Sequence, residues 1–317
     1  MNRRHFLQQT TAAVATAALS PSLSTTAKAA PEVFAATGKP RFQFSVKWGM
    51  IGEPLSVMDK FKLLKDLGYD GVEMDSQYAV PAKELTAAIE ATGIPAQGVV
   101  NANHWSTRLS DPSADIRAKA LQELLDGIRY THDIGASSLL LVPGAVRDPQ
   151  NENSQQVWER SIAGIRQALP LAAEKGVRIG IENVWNQFLY QHGNDAPADQ
   201  KPDQYIKYVD EIASTWVGIY LDLSNHRKYS YCPDWIHAMG SRIIKIDTKD
   251  YLLAKDAKDG RKEGFCDIGD GSVDWEATRK ALVDINYFGW ISSEVAGGNR
   301  ARLADNLERM KKYIQGA

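Results

Sequence analysis

Short apolar runs alternate along the chain with longer segments whose apolar residues recur at helical spacing. The run from Val177 to Ile181 has the two-residue period of a strand, whereas Ile116, Leu124 and Ile128 share one face of a helix. A glycine separates most helices from the strand that follows, because glycine readily adopts the left-handed conformation at a helix end. These glycines are Gly68, Gly93, Gly135, Gly176, Gly240 and Gly289. The pattern predicts a repeated strand–helix unit.

Counting these units predicts eight strands. They lie near residues 42–48, 71–75, 96–103, 138–143, 177–183, 217–223, 243–249 and 289–295. Eight strands that alternate with helices are typical of an α/β fold closed into a parallel (β/α)8 TIM barrel. In such a barrel Phe44 of the first strand lies beside Ile291 of the last. A doubly wound open sheet is the alternative, but no glycine-rich fingerprint after the first strand favours it.

The N-terminus differs in composition from the rest of the chain. Arg3 and Arg4 precede a weakly apolar run, and Ala27-Lys28-Ala29 resembles a signal-peptidase site. We therefore predict a twin-arginine export signal over residues 1–30, a single catalytic barrel domain over residues 31–317, and a periplasmic location. A disordered tail rich in alanine and threonine is the alternative. The apolar run is too short to span a membrane.

This interpretation predicts the outcome of replacing both arginines. The variant Arg3→Lys with Arg4→Lys should remain in the cytoplasm, because the export signal is read from the arginine pair itself. Cell fractionation followed by immunoblotting measures the distribution. An unchanged periplasmic yield would contradict the export signal.

Composition and charge exclude some classes of function. Hydrophobic residues make up 44% of the 317 residues and charged residues 24%, which is ordinary for a soluble protein with a substantial core. The formal net charge of −2 provides no concentrated basic face, so we expect no nucleic-acid partner. Cys232 and Cys266 lack the spacing of metal ligands, and the sequence leaves open whether they form a disulfide.

Four predicted strands end on a carboxylate. The residues are Glu182, Asp222, Asp247 and Glu294. A buried carboxylate costs several kcal/mol unless a cation meets it. Because the C-terminal ends of barrel strands meet at one face, the four residues predict one shared divalent cation.

Each of these carboxylates also has an alternative interpretation. Salt bridges to Lys245 or Arg178 would neutralise the two glutamates without a metal, and Asp222 would suit the N-cap of a helix. Lys245 and Lys249 flank Asp247 at strand spacing and would neutralise it in the same way.

Other polar and aromatic side chains follow the same strand ends. The candidates for binding substrate are Trp48, His104, Trp105, Asn183, Trp185, His226 and Lys249. Amides, imidazoles and indole rings together suit a sugar bound through its hydroxyl groups and ring faces. Buried packing is the alternative interpretation for the tryptophans and the histidines.

Several of these motifs together resemble a known family. They are Glu182-Asn183, Leu221-Asp222, Lys249-Asp250, the run from Ile268 to Trp275, and Glu294. In this combination the chain resembles the sugar phosphate isomerase/epimerase superfamily with the xylose isomerase-like barrel, over residues 42–315. The resemblance implies a metal site made of Glu182, Asp222, Asp247 and Glu294.

The chain departs from the family pattern at two positions. Asp247 stands where the family usually has a metal-binding histidine, and Asn225 stands where it often has another, with His226 following it. Four carboxylates would favour Mn²⁺, with Mg²⁺ or Co²⁺ as alternatives, over Zn²⁺.

The resemblance implies a metal-dependent sugar isomerase or epimerase. Glu182 and Glu294 would move a proton next to a carbonyl through an enediolate, while His104 and Lys249 orient hydroxyls. The substrate would be a free sugar, a sugar acid or a glycoside. A lyase acting on an oxidised (keto) glycoside and a non-catalytic sugar-binding barrel are the alternatives, and a homo-oligomer is compatible with all of them.

Overall fold

A computed structural model describes residues 41–189, 200–258 and 260–316. The predicted export signal at residues 1–30 lies outside these ranges. Among the described residues, no helix is long and apolar enough to cross a membrane. Cys232 and Cys266 are both free thiols, so they do not form a disulfide with each other.

Ten strands and eight α-helices make up the described chain. The strands are β1 (Phe42–Lys47), β2 (Gly71–Met74), β3 (Ala96–Val100), β4 (Ser138–Leu141), β5 (Arg178–Glu182), β6 (Val217–Asp222), β7 (Ile243–Thr248), β8 (Asp250–Leu252), β9 (Gly264–Cys266) and β10 (Gly289–Ser293). The α-helices are α1 (Val57–Leu67), α2 (Ala82–Thr92), α3 (Ala114–Asp133), α4 (Ser154–Lys175), α5 (Asp203–Ile212), α6 (Cys232–Met239), α7 (Trp275–Asp284) and α8 (Arg300–Arg309).

Eight of the strands close into a parallel barrel in the order β1, β10, β7, β6, β5, β4, β3 and β2. Phe44 of β1 lies opposite Ile291 of β10, as the sequence predicted. The (β/α)8 TIM barrel is therefore confirmed, and the open-sheet alternative is wrong.

Glycines end several helices as predicted, although Asn286 and not Gly289 takes the left-handed position after α7. Gly68 after α1 has a φ of 86°, and Gly176 after α4 has a φ of 67°, both in the left-handed region that disfavours side chains. Each backbone N–H donates to a carbonyl of the preceding turn, at Leu64 and Ala172 respectively. These caps allow each helix to stop where the next strand must begin.

The antiparallel hairpin of β8 and β9 was not predicted. It follows β7 directly and pairs Tyr251 with Phe265. Each of its strands has only three residues, which is too short for a two-residue period to stand out in the sequence. Because the hairpin leaves from the C-terminal end of a barrel strand, it lies at the end where TIM barrels hold their active sites.

Candidate active site at the barrel mouth

Three carboxylates converge at the C-terminal ends of the barrel strands. Glu182 ends β5, Asp222 ends β6 and Glu294 directly follows β10. One oxygen from each lies within 4.8 Å of the others, and no further carboxylate, histidine or cysteine of the described chain belongs to this group. We call these three residues the acidic triad.

Burial and mutual repulsion disturb the ionisation of the acidic triad. Burial, followed by the charges of Glu294 and Asp222, raises the pKa of Glu182 to about 8. Burial also raises the pKa of Asp222, against the opposing effect of Lys249. Although burial opposes its ionisation, Lys47 and Lys249 hold the pKa of Glu294 at about 2. In the absence of a cation, burial and repulsion therefore favour the protonated form of Glu182 at neutral pH, while Glu294 is ionised.

The acidic triad fits a divalent cation. Its donors are all carboxylate oxygens, the ligands that hard cations such as Mg²⁺ and Mn²⁺ prefer. Burial and then the charges of Glu294 and Asp222 raise the pKa of Glu182, although Lys47 and Lys249 oppose the shift. A divalent cation at this position would compensate the buried carboxylates.

Lys249 lies between two members of the acidic triad. Its Nζ is 2.6 Å from Oδ2 of Asp222 and 2.5 Å from Oε2 of Glu294. The next residue, Asp250, accepts hydrogen bonds from the backbone N–H of Gly269 and Val273, and from the indole N–H of Trp275. Lys249 therefore pairs with carboxylates in the pocket, whereas Asp250 holds the glycine-rich run before α7 in place.

Asp247 lies apart from the acidic triad in a buried ion pair. Its Oδ2 is 2.6 Å from Nζ of Lys47, which also lies 3.0 Å from Oε2 of Glu73 and 4.0 Å from Oε1 of Glu294. The sequence had suggested Lys245 and Lys249 as the residues that neutralise Asp247. Asp247 does form an ion pair, but its partner is Lys47, because Lys249 pairs with the triad and the ammonium of Lys245 donates to Gln97 and Ser138.

The partners of Lys245 lie deeper across the barrel. Its Nζ donates to the carbonyl of Gln97 at 2.6 Å and to Oγ of Ser138 at 2.8 Å. Burial lowers the pKa of Lys245 to about 8. Lys245 and Asp247 lie two residues apart on β7, so their side chains point to the same side of the strand. The long side chain of Lys245 nevertheless reaches partners on other strands.

A pocket of about 300 Å³ opens above the acidic triad. It is lined by Trp105, Glu182, Val184, Trp185, Asn225, Lys249, Phe265 and Glu294. Trp105, Trp185 and Lys249 had been predicted to bind substrate, and the structure brings them together with both catalytic candidates.

His104 is a buried neutral histidine. Burial, followed by the charge of Lys47, lowers its pKa to about 3. Its Nδ1 accepts a hydrogen bond from the backbone N–H of Val142 at 3.2 Å. The proton of the neutral ring is therefore on Nε2, which makes His104 a hydrogen-bond donor.

His104 and three other predicted substrate-binding residues do not line the pocket. Asn183 accepts from the backbone N–H of Asp222 at 2.7 Å and donates to the carbonyl of the same residue at 2.9 Å. His226 is fully buried and stacks on Trp235, with ring centroids 4.4 Å apart. Trp48 packs against Phe61. Their described contacts are structural, and Asn183 in particular holds Asp222 in position.

The sequence interpretation gave no role to three residues that shape the site. Asn225 donates to Oε1 of Glu182 at 3.3 Å and to the carbonyl of Asn183 at 2.9 Å. Phe265 belongs to the hairpin that was not predicted, and Lys47 is the buried partner of Asp247. Lys47 is the last residue of β1 and Asn225 follows β6 by three residues, and that position at a strand end was the available signal.

The sequence of the chain matches a known family along most of its length. The profile of the xylose isomerase-like TIM barrel matches residues 61–313. Inosose dehydratase of Erwinia tasmaniensis is 25% identical over 276 residues, which cover 78% of this chain and 85% of that protein.

Solved structures share the fold at lower sequence identity. The 3-keto-D-glucoside 4-epimerase of E. coli superposes with a TM-score of 0.67 and 16% identity, covering 88% of this chain and 100% of that chain. The IOLI protein with a binding zinc atom gives a TM-score of 0.68 at 14% identity, covering 86% of this chain and 98% of that chain. These likenesses show the fold.

Proposed function

The chain belongs to the xylose isomerase-like TIM barrel family, and from this premise we propose that it is a divalent-metal-dependent enzyme that moves a proton next to the carbonyl of a sugar. Isomerisation or epimerisation is the reaction that we propose. The observation that carries the proposal is the convergence of Glu182, Asp222 and Glu294 at the mouth of the barrel.

The acidic triad would hold the cation, with Mn²⁺ as the proposed ion and Mg²⁺ or Co²⁺ as alternatives. When bound there, a divalent cation would supply Lewis-acid polarisation of the substrate carbonyl. Asn183 and the backbone N–H groups of Ser224 and Asn225 fix Asp222 for this task, since the latter two donate to its Oδ1 at 2.7 Å.

The two glutamates would divide the proton transfer. With a pKa of about 2, Glu294 is ionised and would accept the proton from the carbon beside the carbonyl. Glu182, one oxygen of which lies within 4.8 Å of an oxygen of Glu294, would return a proton to the substrate. The ammonium of Lys249 would oppose negative charge on the substrate oxygens, and the Nε2–H of His104 would donate to a hydroxyl.

An elimination reaction is the second candidate function. The same removal of a proton next to a ketone expels a leaving group when one is present on the neighbouring carbon. The similarity to inosose dehydratase favours this candidate over the non-catalytic sugar-binding barrel. An oxidised glycoside would be the substrate of such a lyase, and a periplasmic location would bring the enzyme to glycosides outside the cytoplasm.

Hydrogen exchange in D₂O tests the proposed function without knowledge of the natural substrate. The Mn²⁺-loaded protein is mixed with ketohexoses, 3-keto-glucosides or inososes, and NMR follows the proton on the carbon next to the carbonyl. We expect deuterium at that carbon, with an epimer or isomer as product. An unsaturated product would identify the lyase. Absence of exchange with every compound would contradict both enzymatic candidates and favour the sugar-binding barrel.

A further inference from the structure

Three exposed aromatic side chains surround the mouth of the pocket. Trp105 is 40% exposed, Trp185 is 37% exposed and Phe265 is 47% exposed. All three line the same pocket above the acidic triad. We call them the aromatic rim. Single exposed apolar residues are ordinary on protein surfaces, but a group around one polar pocket indicates a binding surface.

Neighbouring side chains hold the aromatic rim in place. Trp185 stacks on Phe265 with ring centroids 5.5 Å apart and planes inclined by 27°. The indole N–H of Trp185 donates to the carbonyl of Asn225 at 2.6 Å, and Tyr251 meets the ring of Phe265 edge-on at 5.1 Å. The guanidinium of Arg147 lies 5.3 Å from the ring centroid of Trp105. The rings are therefore fixed before a ligand arrives.

The floor and the rim of the pocket differ in polarity. Glu182, Glu294 and Lys249 form a charged floor, which suits hydroxyl and carbonyl groups. The aromatic rim offers ring faces and edges, which suit the apolar face of another ring. A free monosaccharide seated on the floor would leave the rim in contact with water.

We infer that the aromatic rim is a subsite for the ring attached to the sugar through a glycosidic bond, so that the substrate is a glycoside and not a free monosaccharide. This inference rests on the proposed function, because it takes the sugar on the charged floor as the reacting group. Trp185 and Phe265 keep more than a third of their surface exposed at the pocket.

Calorimetric titration of the Mn²⁺-loaded protein tests the subsite. The ligands are the methyl and phenyl β-D-glucosides, the corresponding β-D-galactosides, cellobiose and lactose. We expect a phenyl or glycosyl aglycone to bind about tenfold more tightly than methyl, the scale of a well-placed aromatic contact. Phe265→Ala and Trp105→Ala should each reduce this difference. Phe288→Ala is the matched control, because Phe288 is 41% exposed and precedes β10 at the opposite end of the barrel.

Each outcome decides the inference. A preference for phenyl alone assigns an aryl aglycone, and a preference that includes the disaccharides assigns a sugar. Equal affinity for methyl and ring-bearing glycosides, binding of no glycoside, or a preference that survives both rim substitutions would overturn the subsite. The exchange assay separates this from failure of the proposed function, since ketohexoses would still exchange their protons if only the subsite were wrong.

Discussion

Replacing either Glu182 or Glu294 with glutamine is expected to lower the rate of proton exchange by about 10²–10⁴-fold, the contribution typical of a general acid–base group. Glutamine keeps most of the shape of glutamate but neither accepts nor releases the proton. The rate is measured by NMR in D₂O with the keto-sugar that the parent protein exchanges most rapidly.

The glutamates are also proposed metal ligands, so metal content must be measured alongside the rate. Elemental analysis at saturating Mn²⁺ separates a variant that lacks the ion from one that holds it but fails to move the proton. Glu90→Gln on the exposed face of α2 is the matched control. Parent-like exchange by both site variants would refute the assignment of the acid–base pair.

Glu182→Gln should also change how stability depends on pH in the metal-free protein. In the folded protein the pKa of Glu182 is about 8, against an ordinary value of 4.5. Between these values the folded state retains a proton that the unfolded state has lost, so this residue makes the free energy of unfolding fall as pH rises. The contribution is up to about 1.4 kcal/mol per pH unit.

Chemical denaturation in the presence of a chelator measures this contribution. The free energy of unfolding of the Gln variant should decline less steeply than that of the parent between about pH 5 and pH 8, because glutamine does not titrate. Identical slopes for the two proteins would show that Glu182 ionises normally in the absence of metal.

Lys47→Met is expected to destabilise the fold by about 3–5 kcal/mol, as when one partner of a buried ion pair is removed. Lys47 contacts Glu73 at 3.0 Å and Asp247 at 2.6 Å, and both carboxylates are fully buried. These charges hold the pKa of Lys47 above its ordinary value despite burial. Methionine fills similar space but leaves two buried carboxylates without this cation.

A double-mutant cycle measures the energetic coupling between Lys47 and Asp247. Lys47→Met combined with Asp247→Asn should recover part of the lost stability, because the second change removes one of the uncompensated charges. Lys62→Met is the control, since the Lys62–Asp59 pair is exposed and such pairs contribute at most about 1 kcal/mol. Additive losses in the double variant would mean that Lys47 and Asp247 are not energetically coupled.

The structure also changes the interpretation of the position where the family has a metal-binding histidine. From sequence, Asp247 counted as a fourth ligand because it ends a strand like the other three carboxylates. In the fold, Lys47 reaches it from β1, two strands away around the barrel. Which lysine meets Asp247 depends on the depth of each side chain in the barrel, and no local pattern encodes that depth.

The aromatic residues of the site also divide into those that the sequence predicted and those that it did not. Trp185 was recognisable because it follows a predicted strand, whereas Phe265 lies in a hairpin of two three-residue strands that leaves no period in the sequence. His226 looked equivalent to a site residue, yet it is buried on Trp235. Position after a strand predicts closeness to the barrel mouth but does not predict the direction of a side chain.

The sequence by itself determined the eight strand–helix units, the closure of Phe44 against Ile291, and the gathering of Glu182 and Glu294 at one end. These features follow from hydrophobic period and glycine placement, which are local, and from the rule that parallel barrel strands end at a common face. Only the tertiary structure decided which charges pair and which aromatic rings stay exposed. Those contacts join side chains far apart in the chain, and their distances depend on the packing of the whole barrel.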